Sequence, residues 1–91
     1  MAQDVFEKNI GEEWVPFTDI VTSFSASKSY QFQNRGSAVL VALEVAEEPA
    51  ADEQGGELVL PYEVWTYEPE AEKTLYFRAF DKVCSVNVTS K

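Results

Sequence analysis

The stretch Ser29–Ala46, SYQFQNRGSAVLVALEVA, constrains the fold more than any other part of this sequence. Its first half alternates aromatic and polar side chains (Tyr30, Gln31, Phe32, Gln33), the two-residue period of a strand with one buried face. Asn34-Arg35-Gly36 supplies turn chemistry, because Asn and Gly tolerate the positive φ angles that tight hairpins need. Val39-Leu40-Val41-Ala42-Leu43 then forms the longest apolar run in the chain, with β-branched Val at alternate positions. The expectation is a β-hairpin. With Arg35-Gly36 as its loop, Phe32 lies opposite Val39 and Tyr30 opposite Val41. A three-residue loop with a bulge at Gly36 shifts that pairing by one.

The same reasoning gives a second hairpin at the C-terminus, Thr74–Phe80 with Val83–Thr89, turning at Asp81-Lys82. It pairs Ala79 with Cys84, Phe77 with Val86 and Leu75 with Val88, all inward, and sends Tyr76, Arg78 and Phe80 outward. Cys84 is thus expected to be a small buried hydrophobe. Between the hairpins, Leu58–Tyr67 carries Pro61, which implies an edge, a bulge or a break into two short strands. If alternation runs through it, Leu58, Leu60, Tyr62 and Val64 share one face, and Val59, Glu63, Trp65 and Tyr67 the other. The charge of Glu63 marks the second face as the outer one.

Before the central stretch, residues 1–13 read as an arm, with Val5, Phe6 and Ile10 on a short helix or packed against a partner. Pro16 confines the following piece to an edge strand or bulge, and Phe24 anchors a serine-rich loop. Short strands with turn signals every eight to twelve residues, and no convincing helix, define the fold class as all-β. A small antiparallel β-sandwich or barrel of six to eight strands is expected, as a single domain over 14–91. At 91 residues such a chain buries only about 60–65% of its unfolded surface, so the core is thin.

Charge and composition then exclude classes of function. The net charge of −9 disfavours nucleic acid and anionic membranes, which select Lys and Arg clusters. Most of that charge sits in two loops. Glu47–Glu57 contributes −5 and Glu68–Lys73 contributes −2, and neither reproduces the alternating Asp, Asn and Gly of a calcium loop, so no metal is expected. No apolar run reaches the ~20 residues of a membrane helix, and no signal peptide is visible in Met1–Asp4. The single Cys84 permits no internal disulfide. With no His, there is no imidazole base, triad or His ligand, and no serine elbow is present. No catalytic residue and no cofactor are expected. Trp14, Tyr62, Trp65, Tyr67 and Tyr76 offer either a sugar-stacking platform or core and subunit contacts.

The layout also resembles the small β-structured virion proteins of tailed bacteriophages. Trp14 precedes Tyr-x-Phe-Gln-Asn-Arg-Gly (Tyr30–Gly36) and the apolar strand Val39–Leu43. Leu60-Pro61, Leu75-Tyr76-Phe77-Arg78-Ala79 and the closing Val86 and Val88 follow. The resemblance implies a non-enzymatic component of the virion, made in the host cytoplasm. It implies a capsid decoration (cement) protein, or a tail- or fibre-associated one. A free-standing carbohydrate- or protein-binding module is the rival class. The implied partners are further copies of the chain, with a homotrimer matching local three-fold points, and other virion proteins such as a major capsid protein. Candidate protein contacts are Arg35, at the expected hairpin tip, Glu63, Trp65 and Tyr67 on the expected outer face, and Tyr76 and Arg78.

Overall fold

A computed structural model describes residues 5–80 and 82–90. Residues 1–4 of the expected arm, Asp81 of the expected C-terminal turn, and Lys91 lie outside the described residues. The elements are β1 (Val5–Ile10), β2 (Val15–Pro16), α1 (Phe17–Ile20), β3 (Tyr30–Asn34), β4 (Leu40–Val45), β5 (Glu57–Val59), β6 (Val64–Tyr67), β7 (Thr74–Ala79) and β8 (Cys84–Ser90). They form two four-stranded antiparallel sheets, ordered β1-β8-β3-β6 (sheet I) and β2-β7-β4-β5 (sheet II). The sheets pack face to face. The chain is a small all-β sandwich, as its alternation and turn spacing predict.

The pairing differs from the sequence expectation at both hairpins, and for one reason. β3 pairs with β6 and β8, and β4 pairs with β5 and β7, so the two halves of the central stretch lie in opposite sheets. Phe32 faces Trp65 and Val88 across its ladders, not Val39. Likewise β7 belongs to sheet II and β8 to sheet I, so Ala79 and Cys84 are not a ladder pair. In each case the connection is an arch, which turns two strands face to face instead of edge to edge. Alternation fixes which side chains point inward, and it reads the same for both arrangements. Leu75, Phe77, Ala79, Cys84, Val86 and Val88 are therefore all buried, as expected, although their strands never touch by backbone. In the central strand Leu40 and Ala42 point inward, not Val39 and Val41 as the hairpin pairing predicts; Val41, opposite Arg78, lies on the outer side of sheet II.

The central arch forms because a tight turn never does. None of Asn34, Arg35 and Gly36 adopts a positive φ. Asn34 continues β3 opposite Val86, and the Arg35 N–H donates to the Ser85 carbonyl at 2.7 Å, carrying the strand past the expected loop. The Asn34 side chain, fully buried, donates from Nδ2 to the carbonyls of Ala38 (2.8 Å) and Val59 (3.0 Å). Its Oδ1 accepts the Gly36 N–H at 3.0 Å. Gly36 is required for close approach: a Cβ there would lie 3.0 Å from the Ser85 nitrogen and 3.1 Å from the Cys84 Cα.

The arches share one end of the sandwich. Ile10 sits opposite Cys84, Val64 opposite Gln33, and Leu40 opposite both Ala79 and Val59. The crossings β1–β2, β3–β4, β5–β6 and β7–β8 therefore lie side by side, here called the arch end. The far end carries α1 and the loops 21–29, 46–56 and 68–73. It is plugged by Phe17, fully buried from α1, whose ring meets Tyr67 (4.9 Å), Tyr30 (5.2 Å) and Phe24 (5.8 Å) edge-on. Pro16 occupies the edge strand β2, where its missing N–H is harmless. The segment read as an N-terminal arm is instead the edge strand β1, paired with β8 along Val5–Ile10.

Two outcomes test this arrangement. Asn34→Ala strands two buried carbonyls and a backbone N–H at about 1–3 kcal/mol each, so urea unfolding should show a loss of about 3 kcal/mol or more. The neighbouring Arg35→Ala should stay within about 0.5 kcal/mol of the parent. The Cys84 thiol, 1% exposed and directed at the Val39 carbonyl (3.2 Å), should resist a bulky thiol reagent until the protein is denatured.

Candidate functional site

The described surface departs most from ordinary behaviour at the arch end. Leu60, Tyr62, Phe80 and Val83 each expose more than half of their area there, with Leu58 and Val64 exposed on the flanking strands. Strand order places the β5–β6 arch (Leu60, Tyr62) and the β7–β8 arch (Phe80, Val83) on either side of the β3–β4 arch, with exposed Arg35 and Ser37 between them. At the spacing of neighbouring strands, the two apolar pairs lie about 10 Å apart. The acidic loops 47–57 and 68–73 emerge at the opposite end, where Lys73 pairs with Glu70 at 2.9 Å. The chain thus has an apolar pole and an acidic pole. Soluble proteins rarely leave so much apolar area open without a use for it.

Tyr62 is the most constrained of these residues. Its φ is +66°, a left-handed conformation that a bulky non-glycine residue adopts only under constraint. Its N–H donates to the Asn34 carbonyl at 2.6 Å, and its own carbonyl accepts Gln33 Nε2 at 2.9 Å. Leu60 and Glu63 close the turn, the Glu63 N–H donating to the Leu60 carbonyl and Glu63 Oε1 accepting the Leu60 N–H. The result is an aromatic ring, 63% exposed, on a backbone held at several points.

The sequence-derived candidates do not form one surface. In Leu58–Tyr67 the division into two faces is right and the assignment of inside and outside is inverted. Val59 and Tyr67 are buried and Trp65 is half-buried, while Leu58, Leu60, Tyr62 and Val64 face water. Glu63 misled because it sits in the turn, where its exposure reports nothing about the strand. Trp65 and Tyr67 therefore pack inward, against Phe32 and Phe17. Arg78, expected outward, does lie on the outer face of sheet II but is only 8% exposed. Its guanidinium lies 5.1 Å from the Trp14 ring centroid, and Nη1 donates to the Ala79 carbonyl. Tyr76, opposite Pro16 and Leu43, is half-buried on that same face. Arg35 and Glu63 alone reach the arch end as exposed side chains, with Arg35 Nη1 3.4 Å from Gln33 Oε1. Tyr62, read only among the aromatics of a sugar platform or of core and subunit contacts, is exposed because Pro61 before it breaks the strand rather than bending it.

A crevice of about 370 Å³ opens on one flank, between the free edge of β6 and the stretch of β4 beyond Ala42 that β5 does not cover. Phe32, Trp65, Tyr67, Glu44 and Leu75 line it. Glu44, directly opposite Leu75, lies on the inner face of sheet II in phase with Leu40 and Ala42. Its Oε2 is buried, and the carboxylate interacts with the Tyr67 hydroxyl and, by charge, with Lys73. Burial pushes the Tyr67 hydroxyl up to about 12, and the Glu44 carboxylate adds to the shift. Among the described residues, no three acidic or Cys side chains converge as a metal site.

The Tyr67 shift has a signed consequence. Below its ordinary value of 10.0 the hydroxyl is protonated in the folded and unfolded chain alike, and it confers no pH dependence. Between pH 10 and about 12 the unfolded chain releases a proton that the folded chain retains, so stability falls as pH rises. The loss should be on the order of 2 kcal/mol across that window in chemical denaturation, and Tyr67→Phe should remove it. No protein-family model, curated protein or solved structure matches this chain.

Proposed function

We propose that the chain is a non-enzymatic structural component of a bacteriophage virion, a capsid decoration protein that acts through protein–protein contacts made by its arch end. One observation carries the docking role: Tyr62 presents an exposed aromatic ring from a strained, hydrogen-bonded turn beside Leu60. Strain of this kind costs about 1–3 kcal/mol and persists where a rigid presentation has a use. Tyr is also among the residues that dominate interface energetics. Charge supports the same orientation. With −7 of the −9 charge in loops at the far end, the arch end approaches another acidic protein against the least repulsion. The partners are other virion proteins, a major capsid protein among them, and further copies of the chain. The virion setting rests on the resemblance carried by Trp14, Tyr30–Gly36, Val39–Leu43 and Leu75–Ala79. Hiding most of Leu60, Tyr62 and Phe80 is worth a few kcal/mol before association costs, at ~25 cal/mol per Å².

The test exploits the strain at Tyr62. Tyr62→Gly relieves the left-handed backbone and deletes the ring. It should hold or raise stability, by up to about 1 kcal/mol, while reducing self-association in sedimentation and co-sedimentation with particles assembled without the protein. Undiminished binding by this variant, with its far-ultraviolet dichroism intact, overturns the docking role.

A further inference from the structure

The crevice between β6 and the uncovered end of β4 has features that the docking role of the arch end does not use. Its apolar walls are the rings of Phe32, Trp65 and Tyr67, and the carboxylate of Glu44 projects into it from the inner face of sheet II. A side chain on this face ordinarily belongs to the core, as its neighbours in phase, Leu40 and Ala42, do. A carboxylate there is anomalous: its Oε2 is buried, and the protein donor beside it is the neutral Tyr67 hydroxyl. Such an atom carries a desolvation penalty unless a donor reaches it. Two groups already face it: the Tyr67 hydroxyl, which burial keeps neutral and which hydrogen-bonds with Glu44, and the Lys73 ammonium, which feels the Glu44 charge but is exposed and paired with Glu70. Glu57 adds a second carboxylate at the mouth, where it is exposed. The volume, about 370 Å³, falls in the range of small-ligand sites.

From this geometry we infer that the crevice is a binding site for an organic cation, an alkyl guanidinium or ammonium group whose head meets Glu44 and whose stem lies among Phe32, Trp65 and Tyr67. Each wall matches one part of such a ligand. Aromatic faces attract cations and accept alkyl stems, and a carboxylate supplies the charge-assisted hydrogen bond that fixes the head. A neutral sugar would bring no charge to the carboxylate, and an anion would be repelled by Glu44 and Glu57 together. The opening lies along two uncovered strand edges, so the same head could arrive on an arginine side chain of another protein or on a free polyamine-like molecule. The site is independent of the arch end.

The experiment titrates the full chain with N-acetyl-arginine methylamide, with its uncharged isostere N-acetyl-citrulline methylamide, and with agmatine. The Trp65 indole N–H resonance is followed by heteronuclear NMR. Saturable shifts are expected with the arginine compound and agmatine, and about tenfold or weaker binding with citrulline. Glu44→Gln should lose about tenfold for the cations and little for citrulline. Tighter binding of the blocked arginine marks a polypeptide source, and tighter binding of agmatine a free one; either supports the site. Equal binding of citrulline and arginine by the parent overturns it, as does the absence of a saturable shift. Unchanged cation affinity in a folded Glu44→Gln variant overturns it as well. Should that variant fail to fold, the citrulline comparison on the parent decides alone. Tyr62→Gly should bind the cation normally, which separates this site from the docking surface.

Discussion

The amide of Asn34 is the contact on which the architecture turns. A sandwich of two sheets needs something to set their relative position at the end where the chain crosses, and apolar packing alone does not specify direction. Asn34 lies in sheet I by its backbone, opposite Val86. Its side chain bonds to Val59 in sheet II and to Ala38 in the arch between them. Its backbone N–H and carbonyl bond in turn to the Glu63 carbonyl and the Tyr62 N–H of the next arch. All of its hydrogen-bonding groups are thus engaged, in a place with no access to water. A buried amide satisfied in this way favours one arrangement strongly, because any other leaves several polar groups unpaired at once.

From that clamp follows the polarity of the molecule. Once β3–β4 crosses as an arch, the neighbouring strands find their partners in the same sense, and the β1–β2, β5–β6 and β7–β8 crossings gather at one end. The longer, acidic connections are left to the other, where Phe17 closes the core. The turn carrying Tyr62 inherits its strain from the same bonds, since Asn34 and Gln33 hold the peptide groups before and after the Tyr62 Cα. Stability and surface presentation are therefore coupled through one residue of the interior.

The two sheets are not sealed equally. At the β1–β2 flank the outer side of sheet II is covered by Trp14 lying over Arg78. On the opposite flank β5 is only three residues long and stops at Ala42 of β4, while β6 is a free edge. A thin sandwich of this size has too little apolar material to close both flanks. The space left on the second flank is walled by aromatic rings and one inward carboxylate. An inward charge near an uncovered edge also discourages edge-to-edge association.

The sequence by itself determined the fold class and, in β3, β7 and β8, the buried face. Tyr30, Phe32, Leu75, Phe77, Cys84, Val86 and Val88 are all where alternation puts them. Glu44 was not read from the sequence, because the expected pairing of Phe32 with Val39 and Tyr30 with Val41 placed the other face of that strand inward. Tertiary structure alone decided which strands pair. A period of two is shared by hairpin and arch, and the choice between them depended on whether the Asn34 amide would turn the chain locally or bond to Val59, a residue far along the sequence. It also decided which side of Leu58–Tyr67 is buried. The two faces carry similar apolar content, so local pattern was balanced, and the balance was tipped by long-range partners: Leu40 for Val59, Phe32 for Trp65 and Phe17 for Tyr67.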